Sequence, residues 1–184
     1  MAQSDIIQVL EGIKNAKRIY RDRAANDVLD HPELLPDLIG QVYEVSSPLH
    51  IKAAWVLELV CLANISLMTD YASRFIEQMH LISNESALRP VSKVCCFLSR
   101  HYFSTNKSSF YLAQKSVDQI IECNFDWLIE EHKVATQVFA MDTLEIWGKE
   151  YEWVRDELRQ ILQKKTASGS RGYQAHARKL LKNL

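Results

Sequence analysis

Four cysteines, six histidines and 23 carboxylates are the side chains of this 184-residue sequence best suited to chemistry. Cys95 and Cys96 precede His101 by six and five positions, which raises the question of a metal. Structural zinc takes paired ligands at spacings such as C-x2-C, with a second pair elsewhere. Adjacent positions on a helix point about 100° apart, so these two thiols cannot chelate one ion. They read as small buried residues, as do Cys61 and Cys123. The histidines are His31, His50, His80, His101, His132 and His176, and no two stand four apart, so a helical H-E-x-x-H pair is absent. His50 and His132 fall near helix starts and read as capping or solvent-facing residues. No G-x-S-x-G, P-loop or G-x-G-x-x-G occurs. Asp126, Glu130 and Glu131 gather in "DWLIEEHK", where i, i+4 spacing and Lys133 suggest a solvated helix end. Glu150, Glu152, Asp156 and Glu157 interleave with Arg155 and Arg159 as on a wet surface. No catalytic residue, metal ligand set or cofactor is expected, and the chain does not read as an enzyme.

The totals describe an ordinary globular chain, 47% hydrophobic and 24% charged with a net charge of −1. Its length suffices for one domain with a sizeable core. Only 5 glycines and 4 prolines are present, and Pro32, Pro36, Pro48 and Pro90 all fall in the first half. Strand-rich folds need frequent turns, so this scarcity points to helices joined by short polar links. No apolar run reaches the ~20 residues of a membrane span. The N-terminus does not resemble a secretory signal, so a cytoplasmic location with reduced thiols is expected.

Helical patterns cover most of the chain. They begin with "SDIIQVLEGIKNAKRIY", capped by Ser4, and "HPELLPDLIGQVYEV", where His31 or Asp30 caps and Pro32 suits the first turn. "PLHIKAAWVLELVCLA" and "SLMTDYASRFIEQMHLI" follow, the second with Ser66 as its cap. After these come "ALRPVSKVCCFLSRHYF", "SFYLAQKSVDQIIECNFDWLI", "HKVATQVFAMDTLEIWGK", "EYEWVRDELRQILQKK" and "SRGYQAHARKLLKNL". A shift of 41 residues aligns them without gaps. Leu57, Leu98, Phe139 and Leu180 fall in one column, and the small residues Ala54, Cys95, Thr136 and Ala177 fall three positions earlier. In the partner helices, Leu35, Ile76, Val117 and Leu158 form a column, as do Leu38, Met79, Ile120 and Ile161. Such recurrence predicts stacked helical hairpins, each burying the apolar face of its neighbour.

The period and helix-pair content resemble HEAT repeats, with armadillo-like repeats the near alternative. Pro48 and Pro90 sit near helix starts, where HEAT repeats often carry proline, although no rung shows the full HEAT pattern. The resemblance implies an all-α fold, a right-handed α-α superhelix of about four helix pairs closed by a capping helix. The expected units within the single domain 1–184 are 1–45, 48–82, 87–128, 132–165 and a cap at 170–184, with "TASGSRG" as a flexible link before the cap.

Two functions compete. The resemblance suggests a non-enzymatic scaffold that binds a protein or peptide on a concave polar face, and the register nominates two ridges. Glu33, Arg74, Lys115 and Asp156 share one column, and Asp37, Gln78, Gln119 and Gln160 share the next. The alternative is a nucleic-acid binder similar to the HEAT-like DNA alkylation-repeat glycosylases, with Trp127, Trp147 or Trp153 stacking on a base. Charge opposes it. Basic residues concentrate near the start and in 163–184, which holds six and no acid, whereas 31–131 carries seven basic and twelve acidic residues. Nucleic acid and membrane are therefore not expected partners, and the capped chain is expected to be a monomer.

Overall fold

The computed structural model describes residues 5–105, 110–165 and 169–184, and among them there is no strand. The described residues form ten α-helices: α1 (Ile6–Glu11), α2 (Arg18–Asp30), α3 (Leu35–Tyr43), α4 (Leu49–Ala63), α5 (Ala72–Gln78), α6 (Glu85–Ser104), α7 (Gln114–Ile129), α8 (Val134–Trp147), α9 (Glu152–Lys165) and α10 (Arg171–Leu180). The even-numbered helices pack in series, α2 on α4, α4 on α6, α6 on α8 and α8 on α10. The odd-numbered helices lie against this row, with α3 on α4, α7 and α9 on α8, and α5 on α7.

Helix α4 shows what holds the rows together. Ala53, Ala54 and every residue from Val56 to Cys61 are buried, which leaves little of its circumference to water. It meets α2, α3 and α6, one neighbour for each apolar side. The small column Ala54, Cys95, Thr136 and Ala177 is 0–1% exposed throughout, so it lies wholly inside the packed row. The large columns are buried as well, apart from Phe139 and Ile161, which are partly covered.

Several local expectations are corrected. The first pattern is two helices, since α1 stops at Gly12 and α2 begins at Arg18. Helix α2 buries only Ala24, Ala25 and Val28, too weak a stripe to stand out in sequence. Asp5 caps α1 through the Ile7 amide, and Ser4 lies outside the described residues. Ser66 is not a cap: a 3-10 helix runs Ile65–Tyr71, and the Asn64 side chain accepts from the Ser66 amide. The Thr69 hydroxyl donates to the Ser66 carbonyl at 2.8 Å, competing with the α-helical bond, and α5 starts only at Ala72. His31 caps nothing with its side chain, although Pro32 does occupy a first turn. Of the "TASGSRG" link, residues 166–168 lie outside the described residues, Ser170 caps α10, and Arg171 already belongs to that helix.

Pro90 lies inside α6, not near its start. Proline has no N–H to offer the carbonyl four residues back. That carbonyl is Ser86 O, and the Trp55 indole N–H of α4 donates to it at 3.0 Å. Trp55 thus repairs a break in the next even-row helix, while the Arg21 guanidinium of α2 lies 5.7 Å from its ring. Other ties also cross from helix to helix. Tyr43 OH donates to Phe75 O at 2.6 Å, and Trp147 Nε1 donates to Ser99 Oγ at 3.0 Å. Glu58, 4% exposed, accepts from Arg89 at 2.9 Å and Lys93 at 2.8 Å, both on α6. Arg100 of α6 and His176 of α10 meet on Asp142 of α8, at 2.9 and 2.6 Å.

Between described residues, side-chain hydrogen bonds that join positions more than seven apart span 25 to 48 residues, roughly one period. No single described helix is long and apolar enough to cross a membrane. The pair Leu49–Ala63 and Ile65–Leu81 has the composition only jointly and bends by 116°.

Urea unfolding can read two of these ties. Trp55→Phe is expected to cost about 1 kcal/mol, the net worth of one hydrogen bond. In a Pro90→Ala background the loss should shrink, because alanine at that position supplies the missing N–H; equal losses in both backgrounds would refute the repair. Glu58→Ala should cost about 2 kcal/mol, less than for a fully buried pair because Arg89 and Lys93 remain partly wetted.

Candidate interaction surface

The eight ridge residues all fall on the odd-numbered side. Glu33 follows α2 in a short 3-10 helix, Asp37 is on α3, Arg74 and Gln78 on α5, Lys115 and Gln119 on α7, and Asp156 and Gln160 on α9. Glu33, Asp37, Arg74, Lys115 and Gln160 are exposed, and Gln78, Gln119 and Asp156 are half-buried. Glu33 pairs with His31 at 3.3 Å. The Arg74 guanidinium rests near Gly40 of α3, where a Cβ would come within 3.6 Å of it. Asp156 is held by Arg159 at 3.0 Å and Arg155 at 3.3 Å. Gln119 Oε1 is enclosed and has no hydrogen-bond partner among the described residues.

Residues that the sequence reading did not bring together lie between two of these helices. Trp153 of α9 is 58% exposed and stacks on Phe125 of α7, centroids 6.0 Å apart and planes at 29°. Together with Ile121, Asp118, Glu122 and Asp126 they line a groove of about 390 Å³. The signal was present as the four-residue spacing of Asp118, Glu122 and Asp126, which stacks three carboxylates along one strip of α7. Asp126 is pushed above the usual carboxylate range, first by partial burial and then by Glu130 and Glu122. Trp127 and Trp147, by contrast, are core residues, 5% and 1% exposed.

The even-numbered side is differently built. Lys93 Nζ, already on Glu58, also lies 5.5 Å from the Phe97 ring and 5.8 Å from Phe139. Arg89, Lys93 and Arg100 of α6 are therefore engaged with carboxylates and rings of the same row. A second hollow of about 290 Å³ lies beside them, lined by Cys61, Leu62, Ile65, Phe97, Arg100, His101 and Ser104.

The cysteines and two of the histidines are drawn into the packed interior or into pairs with other side chains. All four cysteines are free and buried. Burial pushes the thiols of Cys61 and Cys95 far above their ordinary range, and those of Cys96 and Cys123 up to about 11. A nucleophilic cysteine needs the opposite shift. His50 is neither a cap nor solvent-facing: it is 6% exposed, and burial lowers its pKa. His132 is likewise drawn in, with Nδ1 2.5 Å from Glu85 and Nε2 3.2 Å from Glu130. Glu85 also accepts from the Lys133 amide at 3.2 Å, so α6 caps the start of α8 across one period. No group of three or more His, Cys, Asp or Glu among the described residues is arranged to hold a metal ion.

No protein-family model, curated protein or solved structure matches the chain.

The raised Asp126 value fixes the sign of a pH effect. A carboxyl whose folded pKa exceeds its unfolded one binds more protons when folded, so its contribution to stability falls as pH rises through that interval. Asp126→Asn is expected to raise stability near neutral pH by no more than about 0.5 kcal/mol, given its exposure, and to change little below about pH 3. Calorimetric melting at the two pH values checks this, and a loss of stability at neutral pH would contradict it.

Proposed function

We propose that the chain is a non-enzymatic protein-binding scaffold, a short HEAT-like right-handed superhelix that binds a protein or peptide on the polar face of its odd-numbered helices. The observation that carries this reading is the reach of its cross-helix hydrogen bonds, 25 to 48 residues at a chain period of 41. Hydrogen bonds that reach about one period are what a helical-repeat stack produces, and such stacks leave long side-chain surfaces free for recognition. The mixed signs and glutamines of Glu33, Asp37, Arg74, Gln78, Lys115, Gln119, Asp156 and Gln160 suit a protein better than a uniform polyanion. The nucleic-acid alternative is weakened because Arg89, Lys93 and Arg100 are already engaged with Glu58 and Asp142. Elevated thiol pKa values at all four cysteines also argue against cysteine chemistry.

Cross-linking in native cell extract followed by mass spectrometry tests the face. The wild-type chain should yield defined protein partners, and Arg74→Glu with Lys115→Glu should lose them while keeping the wild-type melting temperature. Retained partners in that variant would remove the face from the proposal. Labelled duplex DNA should show no tight, salt-sensitive anisotropy change, and one that weakens steeply with salt would favour the alternative.

A further inference from the structure

The groove between α7 and α9 has a chemistry of its own. Its apolar parts are Ile121, Phe125 and Trp153, and its remaining lining residues are Asp118, Glu122 and Asp126. Among the described residues no lysine or arginine lines it. The arginines of α9 lie elsewhere, Arg155 on Glu152 and Asp156, and Arg159 on Asp156. Asp118 accepts from the neutral Gln114 side chain at 2.8 Å, and among the described residues no cation stands within ion-pair distance of Asp118, Glu122 or Asp126. A largely exposed indole beside uncompensated carboxylates is the environment that a guanidinium or ammonium group complements. The ring face attracts the cation, the acids pair with it, and the apolar wall covers its methylene stem.

Spacing narrows the ligand further. Asp118, Glu122 and Asp126 recur every four residues, about 6 Å per step along a helix. Alternate residues of an extended chain are separated by about 6.6 Å. A segment with basic residues at every second position can therefore place successive cations against successive acids. Phosphate-bearing ligands, nucleic acid and anionic membranes alike, would meet like charge here.

We propose that this groove binds an arginine- or lysine-bearing segment of a partner protein, with one cationic side chain lying between Trp153 and the carboxylates of Asp118, Glu122 and Asp126. This rests on the scaffold reading and names the partner's chemistry. Trp153 supplies the stacking face, Ile121 and Phe125 hold the stem, and the three acids set the sign and the register.

A fluorescein-labelled peptide of alternating arginine and alanine, seven residues long, is the probe, and its glutamate–alanine counterpart is the control. Anisotropy at low salt should show saturable binding of the basic peptide alone. Trp153→Ala should weaken it about tenfold, as should Glu122→Gln combined with Asp126→Asn, while Trp153→Phe should retain most of it. Circular dichroism melting confirms that each variant is folded. The indole N–H resonance lost in Trp153→Phe identifies Trp153 and should move on peptide addition. Unchanged affinity in both the Trp153→Ala and the acid variants overturns the assignment, as does equal binding of the acidic peptide. Self-association in sedimentation that disappears in Trp153→Ala would give the groove to a second copy of the chain and overturn it too. If cross-linked partners vanish in Arg74→Glu with Lys115→Glu but persist in Trp153→Ala, the scaffold stands and the groove assignment falls. If the wild type captures no partner and binds no peptide, both fall.

Discussion

A helix that is apolar nearly all the way round has no stable existence in water, and α4 is such a helix. Its burial from Ala53 to Cys61, broken only at Trp55, requires a neighbour on each side. Helices α2 and α6 of the even-numbered row, with α3, meet that requirement. The small residues Ala54, Cys95, Thr136 and Ala177 allow backbones to approach, and the large residues one turn on fill the remaining space. The odd-numbered helices cover what is left, and the grooves between them follow from that arrangement.

Hydrophobic burial alone does not choose which helix sits against which. Polar ties supply that selection, and several of them cross one step of the even-numbered row. Trp55 fits only beside the carbonyl that Pro90 leaves open, and Glu58 fits only where Arg89 and Lys93 both reach it. A buried carboxylate with two cations adds little net stability, but an arrangement that separates them leaves a charge unpaired away from water. Asp142, held from both sides by Arg100 and His176, plays the same part at the other end of the row.

The sequence made the all-helical class and the buried columns legible, because both depend on periodic side-chain size. It was silent where structure depends on a single partner. Helix α2 packs through alanines and so carries almost no hydrophobic periodicity. The 3-10 run after α4 depends on Asn64 and Thr69 capturing backbone groups, which no window average registers. The role of Trp55 could not be read without knowing that Ser86 lies beside it. For the surface, the register placed eight polar residues on one row of helices, but it did not pair Trp153 with Phe125. Those two positions lie 28 apart and belong to no shared column, since they meet across adjacent helices of one row.

The short reach of the ties has a consequence for how the chain is made. A helix waits for a partner no more than about one period downstream, so the entropy lost in closing each loop stays small. Topologies rich in near-sequence contacts fold fast, and domains take shape from the N-terminal end as they leave the ribosome. Helices α2 and α3 precede α4, so of the α-helices that pack on it only α6 has still to be made, and for α6 only α8. Each hairpin can settle while the next is being synthesised, and the apolar circumference of α4 is hidden before the last helix has been translated.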